Sequence, residues 1–263
     1  LNLILNHNNM SHFTCLVLND NVEEQLEPFY ELQCSMTQHE MKEDPRAEFI
    51  EEFTTEELEK DFIRSKEEDP EYDYETLEEF ADEYHGYSKN ENEEVWGRWT
   101  NPNSKWDWYS IGGRWTGMFK VKDNPKYPDD IKLGSPGLMT PSAKKNHADS
   151  IRLCDIDFDG MKKESIEELE NNWIEIQEKI SQGDKNIYWM YNVKEDDTKE
   201  SYIKKNSDFS TYALLKDGEW YEKGQMGWWG ISSDEKEDWK EEFNKLITSL
   251  PEDTLLTIVD CHI

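Results

Sequence analysis

Continuous apolar runs mark both ends of the chain, and mixed patterns fill the stretch between them. HFTCLVLN (His12–Asn19) is apolar and β-branched and stops at Asn-Asp; DTLLTIVDCHI (Asp253–Ile263) is rich in Leu, Ile and Val. Both predict buried strands. NVEEQLEPFYELQCSM alternates only loosely and contains Pro28, so it predicts a loop leading into a second strand at Tyr30–Ser35. From Glu40 to Glu83 the spacing becomes helical, in Phe49, Ile50 and Phe53 and again in Leu58, Phe62 and Ile63. There Thr54-Thr55-Glu56-Glu57 reads as an N-cap with acids in the first turn. Tyr74–Tyr84 predicts another short helix, ending near Gly86.

Val95–Val121 predicts a β-meander: VWGRWT, the turn-forming NPNSK, WDWYSI, then RWTGMFKV beyond Gly112-Gly113. Asp123–Asp149 predicts a long loop, a kind of segment that often carries function. Ile166–Gln182 is an amphipathic helix with Leu169, Trp173 and Ile176 on one stripe, closed by Gly183. NIYWMYNV reads as a strand, STYALLKDGEWYE as a hairpin turning at Asp-Gly, and Asp234–Leu250 as an acidic helix. Strands at both ends and in the middle, without regular βα alternation, predict an α+β fold with a mostly antiparallel sheet and peripheral acidic helices.

Composition adds a surface to this skeleton. The 263 residues are 35% hydrophobic but 13% aromatic, with 11 Trp, and carry a formal charge of −31. That many aromatics imply a folded core beneath a highly charged exterior. The charge excludes binding of the acidic face to nucleic-acid phosphates or to an anionic membrane, and suits a basic partner, often itself a nucleic-acid-binding protein. Roughly two thirds of the net negative charge lies between Asp20 and Arg98. Two readings compete: a solvated helical insertion over about 40–92, or an acidic face for a partner, with Glu51, Glu52, Glu56, Glu57, Glu67, Glu68 and Asp69 as its contacts. Cys15, Cys34, Cys154 and Cys261 show no CxxC spacing, which points to reduced thiols. The start, LNLILNHNNMSHF, has one short apolar run and no basic flank, unlike a signal peptide or a membrane span. Met10 reads as the initiator, residues 1–9 as a leader, and 10–263 as a single domain.

The densest chemistry lies in NPNSKWDWYSIGGRWTGMF (Asn101–Phe119). In a strand, Trp106, Trp108 and Ser110 share one face and Asp107, Tyr109 and Ile111 the other. Gly112 and Gly113 admit a close approach to the backbone or supply a bulge, and Arg114 either pairs with Asp107 or grips a carboxylate or phosphate. As a ligand platform the segment offers Trp106, Trp108, Tyr109, Arg114 and Trp115, with Trp228 and Trp229 of GWWG as a second lining. As plain structure it is an aromatic core with one Asp–Arg pair. At the C-terminus Asp260 and His262 share a strand face, and His12 joins them if the terminal strands pair. That trio would suit acid–base work or a metal, although strand-end histidines are more often simply hydrogen-bonded. If the chain is an enzyme, Asp107, His262 and Asp260 are its catalytic candidates. DIDFDG (Asp155–Gly160) imitates an EF-hand loop but has Ile166 where a bidentate Glu is required and Lys162 at an apolar position, so it reads as a helix-capping turn. No Walker, GxSxG or HExxH motif occurs, and no cofactor is expected.

MSHFTCLVLNDNVEEQLEPFYE, NPNSKWDWYSIGGRWTGMF, GLMTP, DIDF, DGEWYEKGQMGWWG and LPEDTLLTIVDCHI together resemble an uncharacterised phage-encoded protein family. Its members open with MSHFTVLV and close with a TVVDCHI-like tail. The acidic segment from Glu40 to Asn92 lies outside these stretches, and the resemblance transfers no catalytic residue. It implies a protein made in the cytoplasm of an infected bacterium and supports Met10 as the start. The resulting expectation is a non-enzymatic accessory protein that binds and inhibits a host antiviral-defence factor. Its means would be an acidic nucleic-acid-mimicking face or an aromatic/Arg pocket for a nucleotide-like ligand. The alternatives are an enzyme acting on such a ligand and a virion-associated structural protein.

Overall fold

The two terminal runs form the centre of a sheet. In the computed structural model, which describes residues 11–68, 74–90, 94–138, 140–227 and 232–263, His12–Leu18 pairs antiparallel with Leu255–His262 along its whole length. The strand order is Glu219–Glu222, Ala213–Lys216, His12–Leu18, Leu255–His262, Trp108–Gly113, Ser135–Pro136; Ser150–Arg152 also joins the C-terminal strand. Among the described residues of this sheet, only His12–Leu18 with Ala213–Lys216 and Trp108–Gly113 with Ser135–Pro136 run parallel. The fold is therefore α+β with a mostly antiparallel sheet. Period-two alternation sends Leu16, Leu18, Leu256 and Ile258 to one face, where Trp239 and Phe243 from helix Trp239–Thr248 cover them. Each such side chain removed from water stabilises the fold by about 1.5–3 kcal/mol.

The chain divides into two units, residues 1–26 with 108–263, and residues 27–107. In the first, the hairpin turns at Asp217-Gly218, both left-handed (φ 52° and 80°), as a two-residue turn matching strand twist requires. The acidic turn does cap a helix: the Asp157 side chain accepts from the Gly160 N–H at 2.9 Å, and the helix runs Phe158–Ser181, starting earlier than its apolar stripe. NIYWMYNV is not a strand. Ile187–Met190 is helical, and Ile187 and Tyr191, four apart, pack on Leu169 and Ile176 of the long helix. A short apolar run does not distinguish the two periods, and here the neighbouring helix selects 3.6.

The unit 27–107 is larger than the expected insertion and is not simply helical. Its sheet has the order Glu48–Thr54, Val95–Thr100, Ser88–Lys89. Phe49, Ile50 and Phe53 thus lie on a strand, and a bulge between Glu51 and Phe53 shifts the alternation enough to imitate helical spacing. Helix Thr55–Glu68 starts at a reciprocal box: Thr54 N–H donates to Glu57 Oε2 at 2.9 Å, and Glu57 N–H to Thr54 Oγ1 at 3.3 Å. Leu77–Glu79 continues into a π-helical turn, Phe80–His85, ended by left-handed Gly86. Leu58, Phe80, Ala81 and Trp96 form one buried cluster of this unit. Tyr30–Ser35 is not a strand but short 3-10 turns, with Tyr30 bridging only to Trp106. The expected meander is absent, because Val95–Thr100 and Trp108–Gly113 belong to different sheets. Residues 1–10, including Met10, lie outside the described residues. No described helix is long and apolar enough to cross a membrane.

Three phenols give the fold an alkaline signature. Burial pushes Tyr202 and Tyr212 up to about 12, against hydrogen bonds from Asn172 and Ser232 that pull the other way. Burial, with the Glu175 carboxylate beside it, pushes Tyr191 up to about 12 as well. Unfolded, all three titrate near 10. The stability they contribute is therefore complete below pH 10 and is lost as pH rises through 12. Phenolate absorbance should show three late-titrating tyrosines rising together with unfolding. If every tyrosine titrates near 10 in the folded protein, this burial is refuted.

Candidate functional site

Register assembles the site. His12 lies opposite His262, which lies opposite Trp108; one row inward, Thr14 faces Asp260, which faces Ser110. Opposed residues and alternate residues share a face, so these six form two polar and aromatic rows beyond the rows of Leu16 and Ile258. The trio read from the sequence is therefore brought together by pairing of the terminal strands. His12 Nδ1 is 2.7 Å from Asp260 Oδ1, with side chains 6% and 2% exposed. The indole of Trp108 stacks on His262 (centroids 5.3 Å, planes 18° apart), and His12 meets both rings edge-on at 5.1 and 4.8 Å. Trp108 is 45% exposed, so one aromatic surface of the cluster faces solvent.

Asp260 Oδ2 accepts the backbone N–H of Arg114 at 2.9 Å. A carboxylate oxygen accepts, so the short contact has His12 Nδ1–H donating to Asp260 Oδ1. A histidine oriented this way by a carboxylate suits proton transfer or recognition of a hydrogen-bond donor. Burial lowers the Arg114 guanidinium pKa, and the charge of Asp260 opposes that shift.

The twin glycines answer to carboxylates. Both are left-handed (φ 78° and 53°). A Cβ on Gly113 would lie 2.3 Å from Asp260 Oδ2, and one on Gly112 2.4 Å from Asp149 Oδ2. Asp149 is fully buried and accepts from Thr116 Oγ1 at 2.9 Å, Gly117 N–H at 2.5 Å and Gly134 N–H at 2.8 Å. Sequence reasoning missed it. It sits at a bend between the short strands His147–Ala148 and Ser150–Arg152, and the mixed polar and apolar HADSIR around it gives no signal that singles it out.

The other sequence candidates disperse. Trp106 does not share a strand face with Trp108, because the strand begins at Trp108; Trp106 is buried against Tyr30 in the unit 27–107. Asp107 belongs to that unit as well, whereas the carboxylate beside Arg114 is Asp260. Tyr109 takes the opposite face, opposed to Cys261, and burial raises its phenol pKa. Trp115 packs on the main core. Trp228, Trp229 and Asp69 lie outside the described residues. His12, Asp260 and His262 do not form a metal site: both Asp260 oxygens are engaged, and no described group of three His, Cys, Asp or Glu side chains is arranged to hold an ion.

The acidic candidates Glu51, Glu52, Glu56, Glu57, Glu67 and Glu68 are all exposed, on one strand and the helix that follows it. Their unit, residues 27–107, holds 26 acidic and 8 basic side chains, a net −18. A cleft of about 550 Å³ opens in it, and another of about 340 Å³ lies between Phe158, Phe209 and Phe243; neither is lined by His12, His262 or Trp108. Comparison with protein-family models, with curated proteins and with solved structures found no match.

Proposed function

We propose that this protein acts by binding rather than by catalysis. It is a phage accessory protein that engages and inhibits a basic, nucleic-acid-handling factor of its bacterial host in the host cytoplasm. The observation that carries this reading is the concentration of charge, net −18 in a compact unit of 81 residues, with exposed carboxylates on both a strand and a helix. Such a surface projects a negative potential that attracts basic proteins and repels DNA, the electrostatic signature of a nucleic-acid mimic. Immobilised protein should capture a basic nucleic-acid-binding protein from infected-cell lysate, and added duplex DNA should compete it away. Changing Glu51, Glu52, Glu56, Glu57, Glu67 and Glu68 together to Gln should weaken capture by about tenfold or more. Equal capture by that variant, or a captured set without basic proteins, sinks the reading.

A second reading rests on the His12–Asp260 pair beside half-exposed Trp108. It is a site for a nucleotide-like small molecule, with the indole under the base and Arg114 near a phosphate. Turnover in a nucleotide panel, abolished by His262→Ala, favours it; an inert panel removes it.

A further inference from the structure

We infer that the cleft between helix Thr55–Glu68 and the turn Phe80–His85 receives an arginine side chain of the basic partner, as the anchor of the acidic unit. This rests on the binding function proposed above and names the contact through which it works.

The cleft, about 550 Å³, is lined by Phe53, Glu57, Asp61, Glu68, Tyr84 and His85, together with Lys60 and Arg64. The π-helical turn builds its aromatic wall. Phe80 and Tyr84 stack at 5.1 Å with planes 11° apart, and His85 stacks on Tyr87 at 4.9 Å with planes 6° apart while meeting Phe80 edge-on at 5.0 Å. Such widened turns recur at functional sites because they redirect side chains that a regular helix would carry elsewhere. Phe80 is fully buried and holds the stack, whereas Tyr84 is 46% exposed at the cleft.

Carboxylates stand on the facing helix. Asp61 is nearly buried and accepts from His85 Nε2 at 3.0 Å and from Arg64. Glu57 is held by the helix N-cap through Thr54, which lowers its pKa and keeps it ionised. Glu68 is exposed at the last turn of the helix. The two cations in the lining are already matched: Lys60 Nζ sits 2.7 Å from Glu56 Oε1, and Arg64 is on Asp61. With those balanced, the field of the whole unit decides the sign of the ligand, and a net −18 selects a cation.

Aromatic rings beside carboxylates favour arginine over lysine. A guanidinium stacks flat on a ring while its edge donates in parallel to a carboxylate; an ammonium does neither as well, being a compact and strongly hydrated charge. Arginine is also among the residues that most often dominate protein interfaces.

The test uses the full chain and two peptides of equal length and charge, hexa-arginine and hexa-lysine, measured by calorimetry. Hexa-arginine should bind about tenfold more tightly than hexa-lysine, and Tyr84→Ala should remove most of that preference. Tyr84 also packs on Phe80, so Glu68→Gln is the companion variant that leaves packing untouched. It should weaken hexa-arginine binding about threefold or more, and by more than Glu51→Gln, which removes an equal charge outside the cleft. If both peptides bind but Tyr84→Ala and Glu68→Gln behave as wild type or as Glu51→Gln, the cleft is not the anchor and the acidic-face reading survives. If the unaltered protein binds neither peptide, both proposals fall together.

Discussion

Gly113→Ala is expected to destabilise the sheet unit by about 4–7 kcal/mol in urea unfolding. Part of the loss is backbone strain, since Gly113 has φ +53°, a region where an L side chain costs about 1–2 kcal/mol. The larger part is displacement of a buried charge. The new Cβ would lie 2.3 Å from Asp260 Oδ2, so the carboxylate has to leave its hydrogen bonds to His12 and the Arg114 N–H. Separating a buried charge from its partners costs about 3–5 kcal/mol when nothing replaces them. Gly218→Ala is the internal control: its φ is +80°, but no atom lies within 4 Å of the added Cβ, so only strain applies. Equal losses in the two variants would mean that the close approach of Asp260 contributes nothing.

Asp149→Ala is expected to cost about 4 kcal/mol or more, since three donors lose their acceptor in a fully buried place and each orphan costs about 1–3 kcal/mol. The donors are the Thr116 hydroxyl and the Gly117 and Gly134 amides, drawn from two loops that the carboxylate ties to the sheet. Asp149→Asn keeps one accepting oxygen and should fall between alanine and wild type. A loss for Asp149→Ala no greater than for Asp196→Ala, at an exposed aspartate, would show that this carboxylate holds nothing.

These two aspartates show where reading the chain succeeded and where it stopped. The proximity of His12, Asp260 and His262 was legible because only period-two alternation and one assumption, pairing of the two most strand-like runs, were needed. The glycines were legible as places of close approach, but not what approaches, since Asp149 and Asp260 reach them from distant strands. Trp106 and Trp108 misled for a related reason. The boundary between the units falls at Asp107–Trp108, inside one aromatic run, with no change of composition to mark it. The Glu51–Phe53 bulge misled differently, by turning a strand's alternation into an apparent helical period.

The chain by itself determined the terminal strands, the Asp-Gly hairpin, the Asp157 cap and the acidity of the segment after Asp20. Each of these is set by neighbours within a few residues, or by composition, so local chemistry suffices. Tertiary structure alone decided that 27–107 forms its own unit, that Ile187–Met190 is helical, and that a stacked turn and a helix enclose a cleft. Those outcomes depend on which apolar faces bury each other and which carboxylates find donors, and such long-range pairings leave no periodic trace in the sequence.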